Sequence, residues 1–369
     1  MGAKNQSDAS YISKQGIALA IGLGLPFTLA GVILAPGILN FMKAGPTVIG
    51  MGTPYLRIFF AGMTLFFVND ALGAIFRASG DTRLPTIAFA VGTMMNIFLD
   101  PLLIFGWGPF PELGVMGAAV ATLISIAGSF GIFLILLFSR KLDFSLSGWY
   151  RLRPDFGIMS KIIKIGLPVS AQHLVFVMIY WFLIQIVHQF GDAAGAAMGI
   201  GNRMESLSYL TAVGFSVAAA TLVGQNMGAG QPERAARCAW YTTAMVIAVT
   251  SITSVLFIAF PGLIAAIFTS DPEVKKIAVN YLIILGLSQI FMGIEIVLEG
   301  SFSGAGNTVP PMLVSIPGSI LRLPLAYFLC FGLDIGINGI WWTLTITSLL
   351  KAAILLFWFK KGHWKSKKL

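Results

Sequence analysis

The sequence predicts an all-α polytopic membrane protein with about ten transmembrane helices in two pseudo-symmetric lobes, an incomplete version of a six-plus-six arrangement. Three observations predict this fold class. Hydrophobic residues make up 57% of the 369 residues and charged residues only 11%, whereas ordinary soluble domains carry about a quarter charged residues. Long apolar runs recur along the chain, and one long stretch occurs twice. A chain of this composition cannot bury its apolar surface inside a water-soluble globule.

The apolar runs are long enough to cross a bilayer, which takes roughly 20 residues in a helix. They are separated by short polar or Gly/Pro-containing turns, and they lack the period-2 alternation of transmembrane β-strands. The sequence therefore predicts ten spanning helices. They lie near residues 14–41, 50–78, 84–106, 115–139, 162–189, 193–224, 235–260, 275–303, 310–332 and 336–361.

One hydrophilic connection, from Arg140 to Lys164, is longer than the others. It separates four apolar runs from the remaining six. We therefore predict an N-terminal lobe over residues 1–139, a basic cytoplasmic linker over residues 140–163 and a C-terminal lobe over residues 164–369.

Basic residues collect on one predicted side of the membrane. The linker has a basic excess, and the C-terminal tail is assigned six lysines and no acid, whereas the opposite loops have an acidic excess. Because short loops rich in Lys and Arg stay in the cytoplasm, both termini are predicted to be cytoplasmic in a multi-pass protein of the cell membrane. The net charge of +9 is then a topology signal, and no nucleic-acid partner is expected. The tail lysines in this count are Lys351, Lys360, Lys361, Lys365, Lys367 and Lys368.

The repeated stretch runs from Tyr55 to Pro85 and returns as Tyr281 to Pro311, at an offset of 226 residues. The motif Gly114-Val-Met-Gly117 returns as Gly336-Ile-Asn-Gly339 at an offset of 222. The first four helices are therefore predicted to repeat the last four, which leaves Ile162–Gln225 without a counterpart. Since pseudo-symmetric transporters repeat whole units, the simplest interpretation is a six-plus-six protein from which two helices are absent at the front. A genuine four-plus-six protein is the alternative.

Several motifs in order give the chain a specific resemblance. They include Arg77-Ala-Ser-Gly-Asp-Thr82, Asn96-Ile-Phe-Leu-Asp-Pro101, Gly166-Leu-Pro168, Arg203-Met-Glu-Ser206 and Gly224-Gln-Asn-Met-Gly-Ala-Gly230. Together these motifs resemble the multidrug and toxic compound extrusion (MATE) family over nearly the whole chain. The resemblance implies two six-helix lobes that export organic, often cationic compounds in exchange for H⁺ or Na⁺. The first helix of that family, which supplies an acidic cation-site residue in many bacterial members, has no counterpart in this sequence.

Ionisable side chains inside predicted spans are candidates for function, because a charge in the hydrocarbon region is costly and usually faces a partner or a water-filled cavity. Acids outnumber bases in this set. An acidic interior suits a cationic substrate or a coupled cation. The acids are Asp70, Asp100, Glu205, Glu295 and Glu299, and the bases are Arg57, Arg203 and Arg322.

A first candidate site is predicted on the helix over residues 84–106. Asn96 and Asp100 are four residues apart, which places both on one helix face. An amide oxygen and a carboxylate are suitable ligands for a hard cation, and a desolvated carboxylate can exchange protons near neutral pH. Thr122 and Asn69 on neighbouring helices add polar groups, and the resemblance implies a cation site at Asn96, Asp100 and Thr122. The alternative is that Asp100, which precedes Pro101, helps to end its helix.

A second candidate site lies on the second copy of the repeat. Glu295 and Glu299 are four residues apart on one face, where two ionised carboxylates would repel each other. We predict that they bind a cationic substrate or carry a proton, and we add Gln172 and Gln289 to this set. The alternative is neutralisation of the pair by Arg322 or Arg203, residues that we interpret, together with Glu205, as structural intramembrane charges.

The sequence gives no support for an enzyme, since it has neither a metalloprotease, a hydrolase nor a phosphate-loop motif. No cofactor and no metal other than a coupled Na⁺ is expected. We predict a monomeric secondary antiporter in the lipid bilayer that exports small organic, cationic compounds in exchange for H⁺ or Na⁺. The alternatives are a lipid-linked oligosaccharide flippase of a related fold and a non-functional truncated fragment.

Overall fold

The computed structural model describes residues 5–139 and 153–366, and all regular secondary structure in these ranges is helical. Most of the predicted linker, with Arg140, Lys141 and Arg151, lies outside the described residues, as do Lys367 and Lys368. Eight described helical segments are long and apolar enough to span a membrane, one of which, Val309–Gly332, consists of consecutive shorter helices, and two further helix pairs qualify as bent spans. With each bent pair taken as one span the number is ten, which confirms the predicted fold class.

The described residues divide into two compact units, one up to Ile162 and one from Ile163 onwards. The first unit holds five complete helices. A sixth helix begins in the first unit and continues into the second. The bounds are α1 (Gln6–Phe41), α2 (Pro46–Ala61), α3 (Met63–Ala78), α4 (Arg83–Phe105), α5 (Val115–Phe138) and α6 (Phe156–His188).

In the first unit, α1 packs on α2 and α3, and α5 packs on α2, α3 and α4. A buried apolar cluster joins α3, α4 and α5 through Leu72, Phe76, Ala88 and Phe133. The rings of Phe76 and Phe133 are 5.7 Å apart between centroids. This cluster packs together the three helices that carry the residues of the first candidate site.

Two helices begin earlier than the sequence predicts, because each has an N-cap that lies in a polar stretch. The Asn5 side chain accepts a hydrogen bond from the Asp8 backbone N–H at 3.2 Å, so α1 begins at Gln6 rather than near residue 14. The Asp155 carboxylate accepts from the backbone N–H of Gly157 and Ile158. Such caps satisfy the free donors of a first turn. The predicted linker over residues 140–163 therefore ends in two turns of α6.

The second unit contains the rest of α6 and eight further α-helices. A π-helical turn over Phe328–Gly332 continues the line of α13, and a 3₁₀ turn over His363–Ser366 follows α14. The bounds are α7 (Asp192–Gly228), α8 (Pro232–Ala259), α9 (Pro261–Phe268), α10 (Pro272–Gly286), α11 (Gln289–Gly304), α12 (Val309–Ile320), α13 (Arg322–Tyr327) and α14 (Asn338–Lys361).

Helix α11 is the central helix of the second unit, since it packs on α7, α8, α12 and α14. One buried cluster, which includes Leu298, Phe302 and Phe359, joins α11 to α14. Another, with Tyr281 and Trp341, joins α10 to α14, and these two rings meet edge to face at 4.3 Å. Polar side chains on the inner faces of α11 and α14 are consequently shielded from lipid.

The repeat is visible in the positions where helices break. The pair α2 and α3 is bent by 42° and the pair α10 and α11 by 52°. The first bent pair runs from Pro46 to Ala78, and the second runs from Pro272 to Gly304. Each end is displaced by the same 226 residues. The repeat read from the sequence therefore extends to the bend within each span.

The same correspondence holds for the turns. Gly80 and Gly306 have φ values of 97° and 66° in the turns that follow the bent pairs, where glycine is favoured because it lacks a Cβ. At the shorter offset of 222, Gly117 and Gly339 each lie against the backbone of a preceding helix, at Leu103 and Cys330 respectively. A side chain at either glycine would push two helices apart.

Candidate functional site

A charged pair is buried in the interior of the second unit. The Lys351 ammonium lies 2.5 Å from a carboxylate oxygen of Glu295, and the two residues are 4% and 8% exposed. Lys351 is in the middle of α14, and Glu295 is on α11. A charge that leaves water is tolerated when it is paired and hydrogen-bonded. Each residue therefore makes the burial of the other possible.

This pair corrects two predictions. Lys351 was assigned to the cytoplasmic tail, but it lies ten residues inside the end of α14 and is buried. Neutralisation of the glutamates by Arg322 or Arg203 was the stated alternative, yet the cation that pairs with Glu295 is Lys351. The sequence could have indicated that Lys351 is buried, because the predicted span over residues 336–361 already contained this lysine between apolar neighbours. The balance of intramembrane charges is thus closer to even than predicted.

Glu299 lies one turn after Glu295 and has a different partner. Its carboxylate accepts a hydrogen bond of 2.5 Å from the Ser315 hydroxyl on α12. The residue is half-buried, and in the part of the chain that the structure describes no basic nitrogen lies within 4.0 Å of it. With Glu295 paired, Glu299 is the carboxylate of the two that remains available for a ligand.

A second polar cluster in this unit is centred on Asn202. The Asn202 side-chain oxygen accepts from the Tyr180 hydroxyl at 2.6 Å and from the Tyr281 hydroxyl at 3.1 Å. The Tyr281 hydroxyl also lies 3.5 Å from a carboxylate oxygen of Glu205. The cluster ties together α6, α7 and α10. It holds Glu205 by a neutral donor rather than by an ion pair.

Arg322 begins α13 and is 6% exposed. Its Nε donates to the Thr347 hydroxyl at 3.0 Å, and its guanidinium carbon lies 5.7 Å from the centre of the Phe176 ring. By contrast, Arg203 is exposed, so the two arginines that the sequence treated alike are in different surroundings.

The two glutamines predicted for this site do not join the glutamates. Gln172 is half-buried and donates to the backbone oxygen of Pro168 within its own helix. Gln289 is fully buried at the start of α11 and donates to the backbone oxygen of Leu285. Each amide N–H₂ group is thus bonded by a local carbonyl.

In the first unit, the structure brings Asn96 and Asp100 together. The Asn96 amide donates to an Asp100 carboxylate oxygen at 3.2 Å, and both residues are half-buried on α4. Thr122 donates to the backbone oxygen of Ala118 and lines a pocket at the bend between α2 and α3. No hydrogen bond joins Thr122 to Asp100 within the described residues.

Asn69 is buried on α3, and its amide donates to the Ser129 hydroxyl on α5 at 3.2 Å. Its side-chain oxygen is sealed from solvent without a partner in the described part of the chain. Of the four residues predicted for the first site, only Asn96 and Asp100 bond to each other, while Asn69 bonds to Ser129 and Thr122 bonds to a carbonyl of its own helix.

The two units place different chemistry at corresponding positions. Offset by 226 and 222 residues, the neutral Asn69–Ser129 pair of α3 and α5 becomes the charged Glu295–Lys351 pair of α11 and α14. A Cβ at Gly92 would meet Ser129, and a Cβ at the corresponding Gly318 would meet Lys351. Corresponding positions in the two units therefore have corresponding neighbours.

A second pair of positions changes in the same way. In the first unit, the Phe89 ring covers Gly73, so that a Cβ there would lie 2.8 Å from it. The corresponding residues of the second unit are Ser315 and Glu299, which form a hydrogen bond. The second unit has thus replaced an apolar contact with a carboxylate and its donor.

Comparison with known proteins identifies the architecture. The family model described as MatE matches residues 1–102 and 168–328. The chain belongs to the MATE family. It is therefore a multi-pass membrane transporter of a multidrug efflux family and not an enzyme, as the sequence predicts.

Three curated MATE relatives illustrate the match. The probable multidrug resistance protein NorM of Thermotoga maritima is 32% identical over 372 residues, which cover all of this chain and 79% of the relative. A protein named FAD transporter from Shewanella oneidensis is 26% identical over 95% of this chain and 77% of its own. The probable multidrug resistance protein YoeA of Bacillus subtilis is 26% identical over 100% and 80%.

Solved transporter structures share the fold. A MOP superfamily transporter from Pyrococcus furiosus superposes with a TM-score of 0.91 at 21% identity, over 100% of this chain and 82% of that one. A MATE structure described as the bent conformation gives a TM-score of 0.89 at 22% identity, over 98% and 79%. At this level of identity the likeness concerns the helical fold with two lobes.

Proposed function

We propose that this MATE protein is a secondary antiporter that exports organic cations in exchange for H⁺ or Na⁺, as a monomer in the cell membrane with both termini in the cytoplasm. One observation carries the proposal. Each unit holds at least one half-buried carboxylate whose only hydrogen-bond donor in the described residues is a neutral side chain. They are Asp100 in the first unit and Glu205 and Glu299 in the second.

Such carboxylates suit the exchange of cations. A carboxylate that is already ion-paired, such as Glu295, has no free charge to offer. One that is bonded only by an amide or a hydroxyl has no ion-pair partner, and it can accept a proton, a Na⁺ ion or an organic ammonium group when it gives up that one hydrogen bond. We assign the coupling ion to Asp100 and the substrate cation to Glu299.

The buried charges of the second unit argue against the flippase alternative. Glu205, Glu295 and Glu299 outnumber Lys351 and Arg322, so the interior has no basic excess that would receive a pyrophosphate. The names of two of the relatives described above, which are probable multidrug resistance proteins, support drug efflux.

The experiment is export from proteoliposomes under an imposed pH gradient or Na⁺ gradient, with tetraphenylphosphonium as the organic cation. We expect Asp100→Asn to abolish gradient-driven export while the thermal unfolding midpoint stays unchanged, since an amide keeps the shape of the carboxyl but cannot titrate. Glu112→Gln, an acid in the loop before α5, is the matched control and should export normally.

The gradient that drives export identifies the coupling ion. Export by Asp100→Asn at the normal rate, with unchanged pH and Na⁺ dependence, would reject Asp100 as the carrier. The carriers would then have to be sought at Glu205 and Glu299.

A further inference from the structure

The guanidinium group of Arg322 has unused hydrogen-bonding capacity inside the second unit. Its Nε bonds to Thr347, but in the described part of the chain its two Nη atoms make no hydrogen bond and no carboxylate oxygen lies within 4.0 Å. These atoms are also not among the unpaired buried atoms that are sealed from solvent. Because these Nη atoms have no protein acceptor and are not sealed from solvent, they can donate to a further acceptor in place of water.

An aromatic surface lies beside this guanidinium. The Phe176 ring is 5.7 Å from the guanidinium carbon and is 39% exposed. It stacks on the Tyr180 ring at 5.8 Å with an interplanar angle of 21°. Because these residues are one turn apart on α6, the two rings form a continuous platform next to Arg322.

Two acids attract the guanidinium from neighbouring helices, Glu295 on α11 and Glu205 on α7, and both are engaged elsewhere. Glu295 is paired with Lys351. Glu205 on α7 is bonded by the Tyr281 hydroxyl and makes no ion pair with Arg322. In the first unit the position that corresponds to Arg322, at an offset of 226, is Asn96, which carries no charge and bonds to Asp100. At this position of the repeat, a guanidinium is therefore present in the second unit and absent from the first.

We propose that Arg322 and Phe176 form a subsite for an aromatic carboxylate, with the carboxylate bound by the two Nη atoms and the ring stacked on Phe176. The planar fork of arginine matches a carboxylate in a bidentate arrangement. This inference rests on the proposed export function and extends its substrates to compounds that carry a carboxylate on an aromatic ring.

The test measures binding of two fluorescent probes, 1-pyrenecarboxylate and 1-pyrenecarboxamide, to the purified chain in lipid nanodiscs. The two probes share their ring and differ in the charge of one group. We expect the wild type to bind the carboxylate about tenfold more tightly than the amide, as a charge-assisted bidentate contact allows. Arg322→Gln should remove this preference, and Arg322→Lys should reduce it severalfold because an ammonium cannot form the fork.

Two controls separate the subsite from general effects. Arg203→Gln removes an exposed arginine from α7 and should keep the full preference. Phe176→Leu should weaken the binding of both probes by the same factor, since it removes the aromatic platform and leaves the guanidinium in place. Arg322→Lys keeps the charge, so it carries the test if Arg322→Gln does not yield folded protein.

Equal binding of the two probes by the wild type would overturn the proposal, and so would a preference that survives in Arg322→Lys and Arg322→Gln alike. Binding that is no greater than in empty nanodiscs would overturn it as well. Failure of the proposed export function would give a different result. The wild type would then not transport tetraphenylphosphonium under either gradient, whatever its preference between the pyrene probes.

Discussion

Lys351 Nζ lies 2.5 Å from Glu295 Oε1, at positions where the first unit has a hydrogen bond between Ser129 and Asn69. The same backbone framework therefore accommodates an ion pair in one unit and a neutral pair in the other. Since an ion pair gains little over a neutral pair once desolvation is included, the charged version is not explained by stability alone. It leaves Glu299, bonded by the Ser315 hydroxyl, as the carboxylate of this helix face that has no ion pair in the described residues.

The ion pair leads to a prediction about stability. Lys351→Met should lower the free energy of unfolding by about 3–5 kcal/mol, because it leaves the buried charge of Glu295 without a partner. The double variant Glu295→Asn with Lys351→Ser copies the pair of the first unit and should recover most of this loss. Thermal unfolding midpoints in detergent for the wild type, Lys351→Met and the double variant provide the measurement. A double variant less stable than Lys351→Met would contradict the correspondence between the two units.

Glu299 leads to a prediction about substrate selection. Glu299→Gln should reduce export of organic cations at least about tenfold relative to uncharged compounds, since the attraction between carboxylate and cation is lost in a site with little water. Ser315→Ala removes the hydroxyl donor but keeps the charge, so it should retain cation export. Competition assays with a cation and an uncharged dye of similar size provide the measurement. If Glu299→Gln left the ratio of cation export to dye export unchanged, Glu299 would not contact the substrate.

The close helix approaches lead to a prediction about packing. Gly117→Ala and Gly339→Ala should each destabilise the protein by about 1–3 kcal/mol, because the added methyl group meets the backbone of a preceding helix. Gly131→Ala is the matched control in α5, where a Cβ would meet nothing within 4 Å. It should be neutral or stabilising by up to about 1 kcal/mol through helix propensity. Unfolding midpoints in detergent that fall equally for all three variants would argue against the close contacts.

The Asn202 cluster leads to a prediction about buried hydroxyl groups. Asn202→Leu removes the acceptor shared by Tyr180 and Tyr281, so it should cost about 1–3 kcal/mol for each hydroxyl that loses its partner. Tyr281→Phe should cost less, because Tyr180 still bonds to Asn202. The order of the two unfolding midpoints is the measurement. The reverse order would mean that the contact of Tyr281 with Glu205 is the more important bond.

The amino-acid sequence by itself determined the class of the protein, the ten spans and the internal repeat. These features depend on local apolar runs and on motifs such as Gly114–Gly117, which return at a fixed offset. It also placed Asn96 and Asp100 on one helix face, since residues four apart are neighbours on any α-helix. The bend shared by the two copies follows from the repeat, although no single residue marks it, as Gly62 in one copy corresponds to Ser288 in the other.

Only the tertiary structure decided which charges are partners. Lys351 and Glu295 are separated by 56 residues, and their meeting depends on how α11 and α14 pack. A lysine near a basic tail has the same local sequence signal whether it lies in the cytoplasm or in the protein interior, so composition assigned it to the wrong place. Arg203 and Arg322 were alike in sequence for the same reason. Burial and pairing result from the packing of helices, which a one-dimensional pattern does not encode.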